Sequence, residues 1–175
     1  MSKKGEKIQE AVMEKAKLYS RFSEDLGMFI NMTMRGNRVS SVTLTAEPPS
    51  TPFSNDHPYL TRVINHIANG KDEMSDIPLD LHVTPFVRDT LEQLRKVPLG
   101  DAVTYGEIAK RLGKPNASRA VGTACARNPV AIIVPCHRIV PRSGGVGNYT
   151  SEGGSRVKVM LLEREGAIDK IRKGK

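Results

Sequence analysis

The chain of 175 residues contains no tryptophan, four phenylalanines and four tyrosines, so its core must come almost wholly from aliphatic side chains. It has two cysteines, Cys125 and Cys136, which make neither a disulfide framework nor a zinc-ligand spacing. That usage points to a reducing, cytoplasmic setting. The four histidines, His57, His66, His82 and His137, are scattered and suggest no shared metal, and the first three read as structural or solvated. No apolar run approaches the roughly 20 residues of a membrane span. The opening MSKKGEKIQE lacks the apolar core of a signal peptide, so a membrane partner is not expected. No glycine-rich nucleotide or methyl-donor motif is present, and no cofactor is expected.

With 38% apolar and 26% charged residues, the chain suits a globular protein of one domain or two small ones. The charge is unevenly placed. Residues 1–83 hold 10 Lys+Arg against 11 Asp+Glu, whereas residues 84–175 hold 17 against 8. The whole basic excess therefore lies in the second half, which fits either a polyanion partner, nucleic acid first, or an ordinary solvated surface.

The first half reads as a small α/β support domain, 1–83. Ile8, Ala11, Val12, Leu18, Tyr19 and Phe22 stand at roughly helical spacing and suggest an amphipathic helix over 6–22. Met28–Met34 and Val39–Thr45 are β-rich, with Arg35-Gly36-Asn37-Arg38 as a hairpin turn. Pro48–Pro52 is a loop. Leu60, Val63, Ile64 and Ile67 give a helical stripe closed by Asn69-Gly70, and Leu79–Val83 reads as a further short strand.

The second half, 84–175, carries explicit start and stop signals. Thr84 caps a helix opening at Pro85 and lined by Phe86, Thr90, Leu91, Leu94 and Val97, with Pro98 as its end. Thr104-Tyr105-Gly106-Glu107 is a capping box for a helix closed at Gly113. After the turn Gly113-Lys114-Pro115, Asn116 caps a further helix over Ala117–Ala126, and the pair reads as helix-turn-helix. The second helix is nearly smooth, with Arg119 as its one long side chain. That suits either close approach to a nucleic-acid backbone or minor groove, or tight packing on neighbours. The apolar run Val130–Val134 reads as a short buried strand that delivers Pro135-Cys136-His137-Arg138, where two cations could lower the thiol pKa. An inert core cysteine is the other reading. Glu165 falls in the last turn of a helix marked by Val157, Met160 and Leu161, where the dipole disfavours a carboxylate. It is either surface variation or held by a specific partner such as a histidine. The tail, Lys170–Lys175, reads as basic and frayed.

These residues together resemble the methylated-DNA–protein-cysteine methyltransferases, the 6-O-alkylguanine-DNA alkyltransferase family. The resemblance runs from about Pro78 to Gly166. It includes Pro78–Leu81, Thr84-Pro85-Phe86, Val103–Ala109, Ser118–Gly122, Asn128-Pro129, Pro135–Arg138, Gly147-Asn148-Tyr149 and Leu161–Gly166. It implies an RNase-H-like α/β N-terminal domain and a mainly α, winged helix-turn-helix-like C-terminal domain. The activity it implies is stoichiometric transfer of the alkyl group from 6-O-alkylguanine in double-stranded DNA to Cys136. A monomer is expected.

By the same resemblance, Cys136 is the alkyl acceptor, His137 and Glu165 complete a cysteine–water–histidine–glutamate relay, and Asn128 braces the turn. Arg119 is the finger that fills the place of the extruded nucleotide. Tyr105 pushes on the target phosphate and meets the flipped base; because the leaving guanine needs a proton, its hydroxyl is also the candidate donor. Ser118, Ala120 and Gly122 lie along the minor groove, and Cys136, Ile139, Tyr149, Thr150 and Ser151 meet the base. The sequence departs from the family in three respects: no tryptophan follows Thr84-Pro85-Phe86, Cys125 sits on the recognition helix, and the 150–154 loop is longer. The zinc ligands of some members have no counterpart. Two other readings are a helix-turn-helix sensor that flags damaged bases without chemistry, and a thiol hydrolase using Cys136 and His137. The first is set against by Cys136 itself, and the second leaves Arg119 and the basic half unexplained.

Overall fold

The structure, a computed structural model, describes residues 15–173. Three antiparallel strands, β1 (Lys17–Ser23), β2 (Met28–Arg35) and β3 (Arg38–Thr45), form a sheet in that order. Alternation along β2 buries Met28, Ile30, Met32 and Met34 at 4%, 0%, 0% and 2% exposure, as one face of a half-buried strand requires. Gly36, at φ 58°, supplies the left-handed residue of the tight turn between β2 and β3. The helix expected over 6–22 is not formed where it can be compared: Lys17–Ser23 is strand, paired with Met34–Met28, and residues 6–14 lie outside the described residues. Leu18, Tyr19 and Phe22 carry a pattern short enough to fit either period, and the free edge of β2 decides it. Ser20 Oγ donating to Asn31 Oδ1 at 2.7 Å ties the two strands side by side.

Helix α1 (Pro58–Asn69) starts with Pro58 in its first turn and with His57 accepting from Tyr59 N at 3.1 Å. It buries Leu60, Val63 and Ile67 completely and stops at Gly70, which takes φ 64°. The strand expected over Leu79–Val83 reduces to a single bridge between Leu79 and Val39.

In the second half, α2 (Pro85–Leu94) follows Thr84, whose side chain makes no capping hydrogen bond. Val87 rather than Phe86 takes the buried place beside Thr90, Leu91 and Leu94. A two-residue strand, β4 (Val103–Thr104), leads into α3 (Tyr105–Arg111). The capping box there is complete: Thr104 N donates to Glu107 Oε2 at 2.6 Å, and Glu107 N donates to Thr104 Oγ1 at 3.2 Å. Helix α4 (Ser118–Ala126) begins two residues after Asn116, with Ala117 at the cap position and no side-chain capping bond. The connector is thus 112–117, longer than the three-residue turn expected. Strand β5 (Ile139–Val140) pairs in parallel with β4. Helix α5 (Gly154–Arg164) ends at Glu165 and Gly166, and α6 (Ile168–Lys173) forms where a frayed tail was expected. Ile168, 8% exposed, packs there with Leu162 and Ala167.

Val130–Val134 is a compact turn rather than a strand. Val42 N donates to Pro129 O at 2.8 Å and Ala131 N donates to Val42 O at 3.3 Å, which docks the turn on β3. Ala131 then bridges Val134, and Ile132 takes φ 71°, an unfavourable region for a β-branched residue. All five residues are 5% exposed or less, so packing holds the strain. One continuous hydrophobic cluster runs from Leu26 in the first half to Leu161 in the second, and the turn sits within it.

Gly70 joins the halves at close range. A Cβ added there would overlap the Arg164 carbonyl and stand 2.7 Å from Glu165 N, on top of the strain of a positive φ. Gly70→Ala should cost about 2 kcal/mol or more, a fall in Tm of about 4–8 °C for a chain of this size. Calorimetry of the two proteins checks this, and an unchanged Tm would contradict it.

Candidate active site

Cys136, His137 and Arg138 form one turn of 3-10 helix, all three buried. The turn is braced from Asn128, which precedes Pro129. Its Nδ2 donates to Val134 O at 2.9 Å and to Cys136 Sγ at 3.2 Å, and its Oδ1 accepts from Val130 N at 3.1 Å. One amide thus spans both ends of the Val130–Val134 turn and touches the thiol.

His137 and Arg138 point away from the solvent toward the end of α5. His137 Nε2 lies 2.8 Å from Glu165 Oε1, and His66 Nε2 lies 3.0 Å from the same oxygen. Arg138 donates from Nε to Glu165 Oε2 at 2.9 Å and from Nη2 to Oε1 at 3.0 Å. Its Nη1 donates to Val97 O at 2.7 Å and to Glu73 Oε2 at 3.1 Å. Burial alone would raise the Glu165 carboxyl. The hydrogen bonds from His137, His66 and Arg138 outweigh it and hold the group well below the usual carboxylate range. Glu165 is therefore a buried anion with both oxygens hydrogen-bonded, Oε1 three times and Oε2 once.

Burial lowers the basicity of His137, against the raising effect of Glu165. A carboxylate only accepts, so the Nε2 of His137 must carry the proton and Nδ1 is left as the lone-pair nitrogen. That Nδ1 is buried and unpartnered among the described residues. The nitrogens of His66 and His137 and an oxygen of Glu165 lie within 4.8 Å of one another, a spacing that a metal ion could also use. Arg138 places a cation on both oxygens of the same carboxylate, so the donor set suits a hydrogen-bonded relay better than a second positive charge.

Burial pushes the Cys136 thiol up, and Asn128, the Lys158 ammonium and the Tyr149 hydroxyl pull it down. The field expected from His137 and Arg138 comes instead from Lys158, because Arg138 is spent on Glu165. Lys158 is 1% exposed and donates to Ile139 O at 2.6 Å and to Asn148 O at 3.4 Å. Burial brings its pKa down to about 8.

Cys136 opens onto a cavity of about 250 Å³ lined also by Cys125, Asn128, Tyr149, Thr150 and Ser151, with Val42, Thr43 and Leu44 of β3 as its wall. The volume is below the roughly 300–1,000 Å³ of drug-sized ligand sites and suits one planar ring system. Ile139 and Tyr105, both expected to meet the base, stand outside this lining; the Ile139 carbonyl is taken by Lys158 and its N–H by Cys136 O. Burial raises the Tyr105 hydroxyl, so it stays a donor at neutral pH. Its ring packs on Gly122, where an added Cβ would come 3.7 Å from Tyr105 Cε1. On α4, Arg119 and Ala120 are exposed while Ser118 and Gly122 are half-buried. Arg119 is the one long side chain on that face.

Two buried polar residues here escaped the sequence reading, His66 and Lys158. Each sits in the apolar stripe of its helix, His66 beside Val63 and Ile67 and Lys158 beside Val157, Leu161 and Leu162. A polar residue in such a stripe is the signal that could have found them.

Two short packed helices, α3 and α4, beside a buried cysteine–histidine–glutamate constellation are the features to be matched. The sequence profile of the 6-O-methylguanine DNA methyltransferase DNA-binding domain matches residues 85–167. The methylated-DNA–protein-cysteine methyltransferase of Methanosarcina acetivorans is 45% identical over 98 residues, 56% of this chain and 62% of that protein. A probable methylated-DNA–protein-cysteine methyltransferase of Acanthamoeba polyphaga mimivirus is 44% identical over 106 residues, 61% of this chain and 69% of that protein. The structure of Mycobacterium tuberculosis OGT in complex with DNA superposes with a TM-score of 0.73 at 31% identity, covering 87% of this chain and 94% of that one. The chain belongs to the methylated-DNA–protein-cysteine methyltransferase family. Its match to the Methanosarcina protein nonetheless spans less than two thirds of that protein's length.

Lys158→Met should move the Cys136 thiol further up, because the cation that favours thiolate is gone. Alkylation of Cys136 by iodoacetamide at pH 8 should slow about tenfold, the equivalent of one pKa unit. An unchanged rate per folded molecule would contradict the assignment.

Proposed function

We propose that this protein repairs DNA by direct, stoichiometric transfer of the alkyl group from 6-O-alkylguanine in double-stranded DNA to Cys136 Sγ. The observation that carries this reading is the unpartnered Nδ1 of His137, whose Nε2 is tied to Glu165, in the residue next to a thiol that opens on a base-sized cavity. Neighbouring side chains in one turn do not readily touch, so a water carries the thiol proton to that nitrogen. The thiolate attacks the saturated carbon as the carbon–oxygen bond breaks. The electron pair goes to the guanine oxygen and the Tyr105 hydroxyl supplies a proton to the base; the phenol then regains a proton from solvent as His137 releases the one taken from the thiol. Glu165 stabilises the imidazolium formed on the way, as an orienting carboxylate does in other nucleophile–base sets.

A base inside the stack cannot reach this cavity, so the nucleotide is flipped out, at a cost of a few kcal/mol. Arg119 enters the vacated place, and Ser118, Ala120 and Gly122 line the minor groove. The names of the relatives support the reading. On the same footing we read residues 1–83 as an RNase-H-like support domain and 84–175 as a winged helix-turn-helix-like domain, acting as a monomer in the cytoplasm. A sensor without chemistry would leave the His137–Glu165 pair and the braced thiol without a use.

Cys136→Ser should abolish transfer while leaving DNA affinity nearly unchanged, since phosphate contacts carry binding. Peptide mapping after exposure to methylated duplex should find one added CH2 on Cys136, and label on Cys125 alone would sink the assignment. Arg119→Ala should slow repair of duplex much more than reaction with free 6-O-benzylguanine, which needs no flipping. Equal losses on both substrates would rule out the finger.

A further inference from the structure

We propose that His66 is a positioning residue of the alkyl-transfer site, which fixes Glu165 from the first half of the chain and shares its Oε1 with His137. The inference rests on the reaction proposed above and adds a residue to it. His66 lies on α1, 99 positions from Glu165 in sequence, yet its Nε2 is 3.0 Å from Oε1 and its side chain is 0% exposed. The ring centroids of His66 and His137 are 6.5 Å apart, so the two imidazoles approach one oxygen from separate elements.

The arrangement dictates the tautomers. Glu165 is an anion that only accepts, so both Nε2 atoms carry protons, and both Nδ1 atoms are left buried and unpartnered among the described residues. A second proton on the His137 ring would be an N–H without an acceptor, which disfavours its imidazolium at rest. Oε1 thus takes N–H donors from His66, His137 and Arg138. Each donor withdraws part of the charge that the others feel.

His66 therefore tempers the pull of Glu165 on His137 and keeps His137 free to accept the thiol proton. The groups facing His137 are Glu165 at the end of α5, Arg138 on its own turn and His66 on α1. Glu73 faces Arg138 from the loop after α1. Gly70 permits the close approach, since any Cβ there would push on the backbone of Arg164 and Glu165.

Removing His66 concentrates the Glu165 charge on His137 and makes that imidazole more basic. More of it is then protonated at a given pH, and the acidic limb of the rate profile moves up. The test is single-turnover alkylation of Cys136 by free 6-O-benzylguanine from pH 5 to 9, with the full chain. His66→Leu should shift the limb by about one pH unit, so that transfer is about tenfold slower on the limb and close to wild type at the alkaline end. His66→Gln, whose amide N–H can reach the carboxylate, should restore most of the wild-type profile.

A loss by one constant factor at every pH, or a lower Tm with an unchanged profile, would assign His66 to folding alone and overturn the proposal. Should His66→Leu fail to fold, 15N NMR of the wild-type imidazoles decides. A protonated Nε2 on both His66 and His137 supports the sharing, and a bare Nε2 on His66 overturns it. A wild-type protein that never alkylates Cys136 would remove the reaction itself, an outcome distinct from a wild-type rate with indifferent His66 variants.

Discussion

The Glu165 carboxylate is the constraint on which the rest of the structure depends. A charge buried this deeply costs several kcal/mol unless it is paired and hydrogen-bonded, and here the donors come from two separate parts of the chain. His66 arrives from α1, His137 and Arg138 from the turn that holds Cys136, and Arg138 in turn reaches Val97 O and Glu73. Glu165 occupies the C-cap of α5, where the helix dipole works against a carboxylate. The three cationic or N–H partners reverse that preference. Removing the carboxylate would leave all three as buried donors short of an acceptor, so the site is bound to the fold energetically as well as in space.

The thiol shows the opposite balance. Its burial favours the neutral form, and Asn128 with Lys158 offsets this only in part. A site built this way does not store a free thiolate in the apolar turn. In the proposed reaction a base takes the proton when the substrate is present, and His137, neutral through burial and oriented by Glu165, fits that need. Cys125 lines the same cavity and burial raises its thiol too, to about 12, whereas Cys136 adjoins His137 and receives the Asn128 amide.

Much of this was legible in local sequence. The capping box at Thr104–Glu107, the Gly36 turn and the Gly70 stop depend on neighbours a few residues away, and the Pro135–Arg138 motif with its spaced companions carried the resemblance to the family. The misses share a cause in long-range contact. Lys17–Ser23 is a strand because β2 needs an edge partner, and Val130–Val134 folds into a turn because β3 supplies its hydrogen bonds. His66 meets its partner only because the fold brings a carboxylate 99 positions away beside it. Arg138, read as a cation for the thiol, is diverted by that same carboxylate.

The proposed chemistry also explains why the site is built for one use. A thioether is a poor leaving group, and the second thiol of the cavity, Cys125, is raised to about 12 by burial and supplies little thiolate to remove the alkyl group. Cys136 is 8% exposed beside the buried residues 130–134, so an added alkyl group strains the packing by about 1–3 kcal/mol. Titration with excess methylated duplex, counting restored guanines per protein molecule, tests this most directly. The account predicts a plateau near one, with the methyl group on Cys136 and a lower Tm for the spent protein. Sustained turnover well beyond one, with the Cys136 thiol still free, would contradict it.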